Sequence, residues 1–221
     1  MHPSLDGITL VTFDLDGTLV DSVPDLAAAV DLTLADLALP AAGEVKVRDW
    51  VGNGARVLVE RALTAALGRA PEAEHLEAAH QRFLHHYGQA PNVRTRLYPG
   101  VREALTGLAE RGLILTLVTN KPVAFIAPIL EGLGIDGCFA RCLGGDSLPE
   151  KKPHPAPLLA MSEHFDVPPS RCLMVGDSRH DIAAGRAAGF RTLAVPYGYN
   201  HGEPVAASGP DGMVESLAEL V

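Results

Sequence analysis

Short apolar runs of strand length alternate along the chain with segments whose apolar residues recur every three or four positions. Ile8 to Phe13, Leu113 to Val118, Phe139 to Leu143, Cys172 to Val175 and Thr192 to Val195 are such runs. They lack the strict alternation of a strand with one wet face, which is the pattern of strands covered on both sides in a parallel sheet. Between them lie helical stripes. Val101 to Arg111 aligns Val101, Leu105 and Leu108; a segment opened by Pro122 carries Val123, Ile126, Leu130 and Leu133. A third holds Leu158, Leu159 and Met161, and a fourth runs from Ser178 through Ile182 to Ala188 and stops at Gly189. This alternation predicts an α/β fold: a Rossmann-like, doubly wound parallel sheet with right-handed crossovers.

One stretch breaks the rhythm. From about Pro24 to Leu97 only helical periodicity is visible, with Leu26, Val30, Leu34 and Leu37 on one face, Leu58, Ala62 and Ala65 on another, and Leu76, Ala79, Phe83 and Tyr87 on a third. Pro40, Gly43, Gly52, Gly54, Gly68 and Pro71 punctuate it. It is too long for an ordinary crossover. The prediction is an α/β core formed by residues 1–19 and 98–221, interrupted by an all-helical subdomain over residues 20–97.

Composition narrows the partners. Of 221 residues 47% are hydrophobic but only 5% aromatic, so the core must be aliphatic. Lys plus Arg number 18 against 27 Asp plus Glu, a net charge of −9, which disfavours nucleic acid or an anionic membrane surface as partner. A small anionic substrate is still compatible, because a pocket can be positive on a negative protein. Cys138, Cys142 and Cys172 are odd in number and lack metal-site spacing, as expected for free thiols in a reducing compartment. No basic segment leads into an apolar stretch, and no run reaches the ~20 residues of a bilayer span. The expectation is a cytoplasmic monomer or homodimer.

The strongest chemical signal is Asp14-Leu15-Asp16-Gly17-Thr18 at the end of the first strand. Ligands of open α/β sheets sit beyond the carboxyl ends of the strands. Two carboxylates leaving a core together are costly unless something positive meets them, and Mg²⁺ suits hard oxygen ligands. The plain alternative is a polar turn. Three later strand ends carry Thr119-Asn120, Lys151-Lys152-Pro153 and Gly176-Asp177-Ser178-Arg179-His180-Asp181. Parallel strands would gather all four segments at one sheet edge. The chain has only four lysines, and Lys121, Lys151 and Lys152 all lie beside these ends.

In this order the motifs DLDGT, VTN, KKP and GDSRHD resemble those of the haloacid dehalogenase superfamily of phosphatases, and the helical insert resembles its type-one cap. The likeness spans essentially the whole chain. Trp50 to Ala55 (WVGNGA), Val118 to Pro122 (VTNKP), Lys151 to Pro155 (KKPHP) and Tyr197 to Asn200 (YGYN) are similar to segments of the bacterial phosphoglycolate phosphatases. Around Gly68 to Glu77 the insert is shorter than in some members.

The resemblance implies Mg²⁺-dependent hydrolysis of 2-phosphoglycolate through an aspartyl-phosphate. Asp14 would be the nucleophile and Asp16 the acid and base. Asp14, the Asp16 carbonyl and Asp177 would hold the metal, while Asp181 orients these ligands or Lys152. Thr119 and Lys152 would grip the phosphate, and Asn120 would contact substrate. Asn53, the N–H groups around Gly52 to Ala55, or Arg56 of the insert would meet the substrate's carboxylate at its other end, a role also open to Lys121. Gly52-Asn53-Gly54 reads equally as a loop over the site or as a turn between helices. Lys151 reads as solvated, His154 and His180 as packing or hydrogen-bonding residues, Trp50 as packing, and His85-His86 as helix surface. A phosphatase of another small ester, or a phosphomutase, would keep every motif. A hydrolytic dehalogenase would need neither Asp16 nor Asp177, and a phospho-acceptor signalling module would not need the insert.

Overall fold

The computed structural model describes residues 2–221. Its centre is a six-stranded, all-parallel sheet in the order β5-β4-β1-β6-β7-β8. These strands are β1 (Leu10–Phe13), β4 (Ile114–Val118), β5 (Arg141–Leu143), β6 (Cys172–Gly176), β7 (Arg191–Ala194) and β8 (Gly212–Met213). Strand period 2 sorts their side chains to two faces. Val11, Phe13, Leu115, Leu117, Leu173 and Val175 pack against α5 (Val101–Glu110) and α6 (Ile126–Leu133). Leu10, Val118, Cys172 and Met174 pack against α7 (Ala156–His164) and α8 (Arg179–Ala188). The chain leaves β1 to one side for β4 and β5, then returns to its other side for β6. The topological switch point therefore lies at β1, and the crevice beside its carboxyl end is where a ligand belongs.

Between β1 and β4 come α1 (Val23–Asp36), α2 (Glu44–Trp50), α3 (Ala55–Leu67) and α4 (Ala73–Gln89). They share one apolar cluster that includes Leu26, Val30, Leu34, Leu58, Leu76, Phe83 and Tyr87, and the sheet-bearing part adds Phe125, Ile129 and Tyr199 to it. Two connecting segments tie this helical unit to the sheet. β2 (Val20–Asp21) and β3 (Arg96–Leu97) pair antiparallel, Val20 with Leu97 and Asp21 with Arg96. Beside them the Asp25 carboxylate accepts from the amides of Arg94 and Thr95 and from the Thr95 hydroxyl, fastening the return segment to the start of α1.

The five expected strands are present, and the structure adds three. β2, β3 and β8 are two residues long, too short for any hydrophobic period to register. The stripe on α3 is Leu58, Val59, Ala62 and Leu63, while Ala65 faces solvent. Pro122 does not open α6; it precedes a single 3₁₀ turn, Val123–Phe125, whose Val123 amide is capped by the Asp146 carboxylate at 2.8 Å, and α6 begins at Ile126. The last short helix is a 3₁₀ turn, Leu217–Leu220. All three cysteines are free, Cys172 buried and Cys138 and Cys142 half-buried. Among the described residues no helix is long and apolar enough to cross a membrane.

Candidate active site

Asp14 stays in sheet register after β1 because its amide donates to the Val175 carbonyl at 3.0 Å. Its Oδ1 accepts from the Leu15 amide at 2.7 Å. The chain then turns sharply, with the amides of Thr18, Leu19 and Val20 all directed to the Leu15 carbonyl. Gly17 makes the turn with φ +88°, and any Cβ there would overlap the Asp177 carboxylate and come within 2.9 Å of the Tyr199 ring. Only glycine satisfies both conditions.

Lys152, from the segment after β5, is buried between two carboxylates. Its Nζ lies 2.9 Å from Asp14 Oδ1 and 2.7 Å from Asp181 Oδ1. Burial works against its charge, but the two aspartates outweigh that and hold its pKa above the usual lysine range. The other oxygen of Asp181 accepts from the amide and hydroxyl of Ser178, closing a capping box on α8. Asp177 accepts from the Thr18 hydroxyl at 2.8 Å and from the Tyr199 amide. Carboxylate oxygens of Asp14, Asp177 and Asp181 lie within 4.8 Å of one another. Burial first, and then this mutual repulsion, raises Asp14 to about 6 despite Lys152 and lifts Asp177 well above the ordinary carboxylate range. Hard oxygen donors with more negative charge than one lysine balances are a donor set that fits a divalent cation.

A second buried lysine faces the other aspartate of the motif. Lys121 Nζ is 3.0 Å from each oxygen of Asp16 and 4.7 Å from the Tyr87 ring centre. Burial alone would lower its pKa; Asp16 more than compensates, so it is raised. Ser22, at the entry to α1, donates to Asp16 Oδ1 at 2.6 Å. Above these groups is a small cavity of about 40 Å³. Asp14, Asp16, Thr119, Asn120 and Lys121 form its floor, and Leu26, Leu58, Phe83 and Tyr87 of the helical unit form much of its roof.

The structure thus brings together Asp14, Asp16, Thr119, Asn120, Lys152, Asp177 and Asp181, which lie far apart in sequence. Thr119 is buried, its amide bonded to the Leu143 carbonyl at 3.0 Å. Asn120 bridges the two parts of the chain by donating to the carbonyls of Gly52 and Lys152, both at 3.0 Å. Asn53 stands beside the cavity and not in its lining; its side chain meets His180 Nε2 at 2.7 Å. Burial pushes that imidazole down to about 4.

Arg56 is outside the site. It is exposed and lies 3.8 Å from Glu77, because Ala55 and Leu58, three apart, turn one helix face to the cavity and Arg56 falls about 100° away. Lys151 is exposed, as expected of a solvated lysine, and donates to the Asn53 carbonyl at 2.8 Å. Sequence reasoning missed Ser22 and Tyr199. The Tyr199 hydroxyl accepts from the Ser22 amide at 3.0 Å and donates to Asp21, while its own amide holds Asp177. The YGYN segment was the available signal for it.

Comparisons with known proteins agree with this architecture. A family model for haloacid dehalogenase-like hydrolases matches residues 8–189. The phosphoglycolate phosphatase of Nitrosococcus oceani is 46% identical over 211 residues, spanning 96% of this chain and 94% of that protein. That of Escherichia coli K12 is 46% identical over 227 residues, spanning 96% and 90%. A crystal structure of a predicted phosphoglycolate phosphatase from Haemophilus somnus 129PT matches with a TM-score of 0.92 at 42% identity, covering 97% of this chain and 96% of that one.

Proposed function

The chain belongs to the haloacid dehalogenase-like hydrolases, and on that premise we propose that it is a Mg²⁺-dependent phosphatase that cleaves 2-phosphoglycolate to glycolate and phosphate. The observation that carries this reading is Asp14: a strand-end carboxylate 2.9 Å from a buried ammonium, clustered with two more carboxylates beneath a small cavity. The substrate assignment is supported by the names of relatives that match over nearly their whole length.

A phosphate monoester dianion repels nucleophiles, so its charge must be neutralised before attack. Lys152 and the Thr119 hydroxyl take phosphate oxygens. Asp14, the Asp16 carbonyl and Asp177 would hold Mg²⁺, which when bound supplies positive charge to the phosphoryl oxygens. One Asp14 oxygen attacks phosphorus in line, forming the aspartyl-phosphate as the bond to the leaving oxygen breaks. Asp16 gives that oxygen its proton and, in the second half-reaction, takes one from the water that cleaves the acyl phosphate. Lys121 and Ser22 fix the Asp16 carboxylate in place for both transfers.

Residues 20–97 act in this proposal as a lid. At ~10–15 Å³ per water on this measure, a 40 Å³ cavity accommodates only a few waters, so substrate enters when the helical unit swings on the β2–β3 joint and is sequestered when it closes. Phosphate release from a panel of small esters, with Mg²⁺ and with EDTA, tests the reading. The expected result is a clear preference for 2-phosphoglycolate, loss of turnover in EDTA, and negligible turnover of a large phosphoprotein. EDTA-resistant hydrolysis, or 2-phosphoglycolate ranking below simple alkyl phosphates, would reject it.

A further inference from the structure

We propose that Lys121 is the specificity-determining residue of this site, binding the carboxylate of the leaving group and so restricting the enzyme to short phosphate esters that carry a second anion. The inference rests on the phosphatase reading above and adds to it the group that recognises the substrate's far end. The insert was the expected source of that group, and Arg56 its only cation among the expected contacts, but Arg56 points to solvent and Glu77.

Three observations place the role on Lys121. Among the described residues it is the one cation lining the cavity; the roof contributes Leu26, Leu58, Phe83 and Tyr87, none of which carries a charge to pair an anion. Lys152 is committed to the opposite side, between Asp14 and Asp181, where the phosphoryl group must sit. Lys121 Nζ, by contrast, lies 3.0 Å from both oxygens of Asp16. Asp16 protonates the leaving oxygen, so the leaving group extends into the space next to it. In glycolate the carboxyl carbon is two bonds from that oxygen, which brings a carboxylate within reach of an ammonium one hydrogen bond beyond Asp16.

The donor count is also favourable. An ammonium has three N–H donors, and two go to Asp16. The third lies on the Tyr87 side, where the neutral phenol is its only neighbour for a hydrogen bond and can give way to an anion. A buried ammonium with one donor not held by a carboxylate, facing a pocket whose roof is uncharged, is a recognition point for a small carboxylate.

The test compares kcat/KM for 2-phosphoglycolate and ethyl phosphate, which has the same two-carbon length and no carboxylate, in the wild type and in Lys121→Met. Loss of a hydrogen bond between charged groups should shrink the wild-type preference by about ten- to a hundredfold. Any damage done through Asp16 affects both substrates and cancels in the ratio. If Lys121→Met strands the Asp16 charge and fails to fold, the Asp16→Asn/Lys121→Met double variant removes both charges. Its calorimetric affinities for the two esters, set against Asp16→Asn alone, read the same selectivity. A preference that survives removal of Lys121 by either route would overturn its role and leave the substrate assignment standing. A wild type with no preference for 2-phosphoglycolate would overturn the substrate assignment itself.

Discussion

Removing Lys152 should expose how much of the site's electrostatics hangs on one ammonium. Lys152→Met keeps an unbranched side chain one atom shorter and removes the charge, so Asp14 loses a partner at 2.9 Å and Asp181 one at 2.7 Å. Breaking a buried ion pair by deleting one member costs about 3–5 kcal/mol, because the other charge is left without a partner. Against a urea slope of ~2 kcal/mol/M, that is a midpoint lowered by about 2 M. The loss should also depend on pH. Asp14 is raised to about 6 from 3.8, so between those values the folded chain binds more protons than the unfolded one, and metal-free stability declines as pH rises through the window. At pH 5 the Asp14 carboxyl is mostly protonated, leaving less charge for Lys152 to balance, so the variant should lose markedly less there than at pH 7. Urea unfolding followed by circular dichroism in EDTA, at both pH values, measures this directly. A midpoint shift below about 0.5 M at pH 7, or an equal shift at pH 5, would refute the account of Lys152 as the balancing charge.

Asp14→Asn should abolish turnover with the fold intact, whereas Asp16→Asn should lose about 10²–10⁴-fold on 2-phosphoglycolate yet give a burst of phenol from an aryl phosphate, with phosphate trapped on Asp14 by mass spectrometry. A water-first mechanism would show neither burst nor label. Gly17→Ala forces a Cβ into the Asp177 carboxylate at a left-handed φ; it should destabilise by about 1–3 kcal/mol as overpacking does and weaken Mg²⁺ binding by calorimetry at least tenfold, while an unaltered affinity would mean Asp177 is not a metal ligand. Arg56→Ala, at an exposed position paired only with Glu77, should leave kcat/KM for 2-phosphoglycolate within twofold, and a selective rise in KM for that substrate would return Arg56 to the site.

Much of the fold was legible because local physics wrote it into the chain. Strands covered on both faces must be apolar throughout, and helices over a sheet must carry an apolar stripe, so the five principal strands and the long helical insert could be read from residue order. Family resemblance of the four motifs supplied the order of the chemistry at the sheet edge. The two-residue strands that join the insert to the core were illegible, since pairing of Val20 with Leu97 depends on two segments meeting across the whole insert.

The division within the site follows the same line. Asp14, Asp16, Lys152, Asp177 and Asp181 stand in motifs at strand ends, and a parallel sheet obliges strand ends to converge. In sequence Arg56 was the favoured cation for the substrate's far end and Lys121 a secondary one, each near a glycine-rich or threonine-bearing turn. Only the packing of the helical unit over the sheet separated them, by turning Ala55 and Leu58 inward and Arg56 out, and by burying Lys121 against Asp16 beneath Tyr87. Which segments become strands and helices is settled by neighbours in sequence; which charge faces a cavity is settled by what the helical unit and the sheet leave between them.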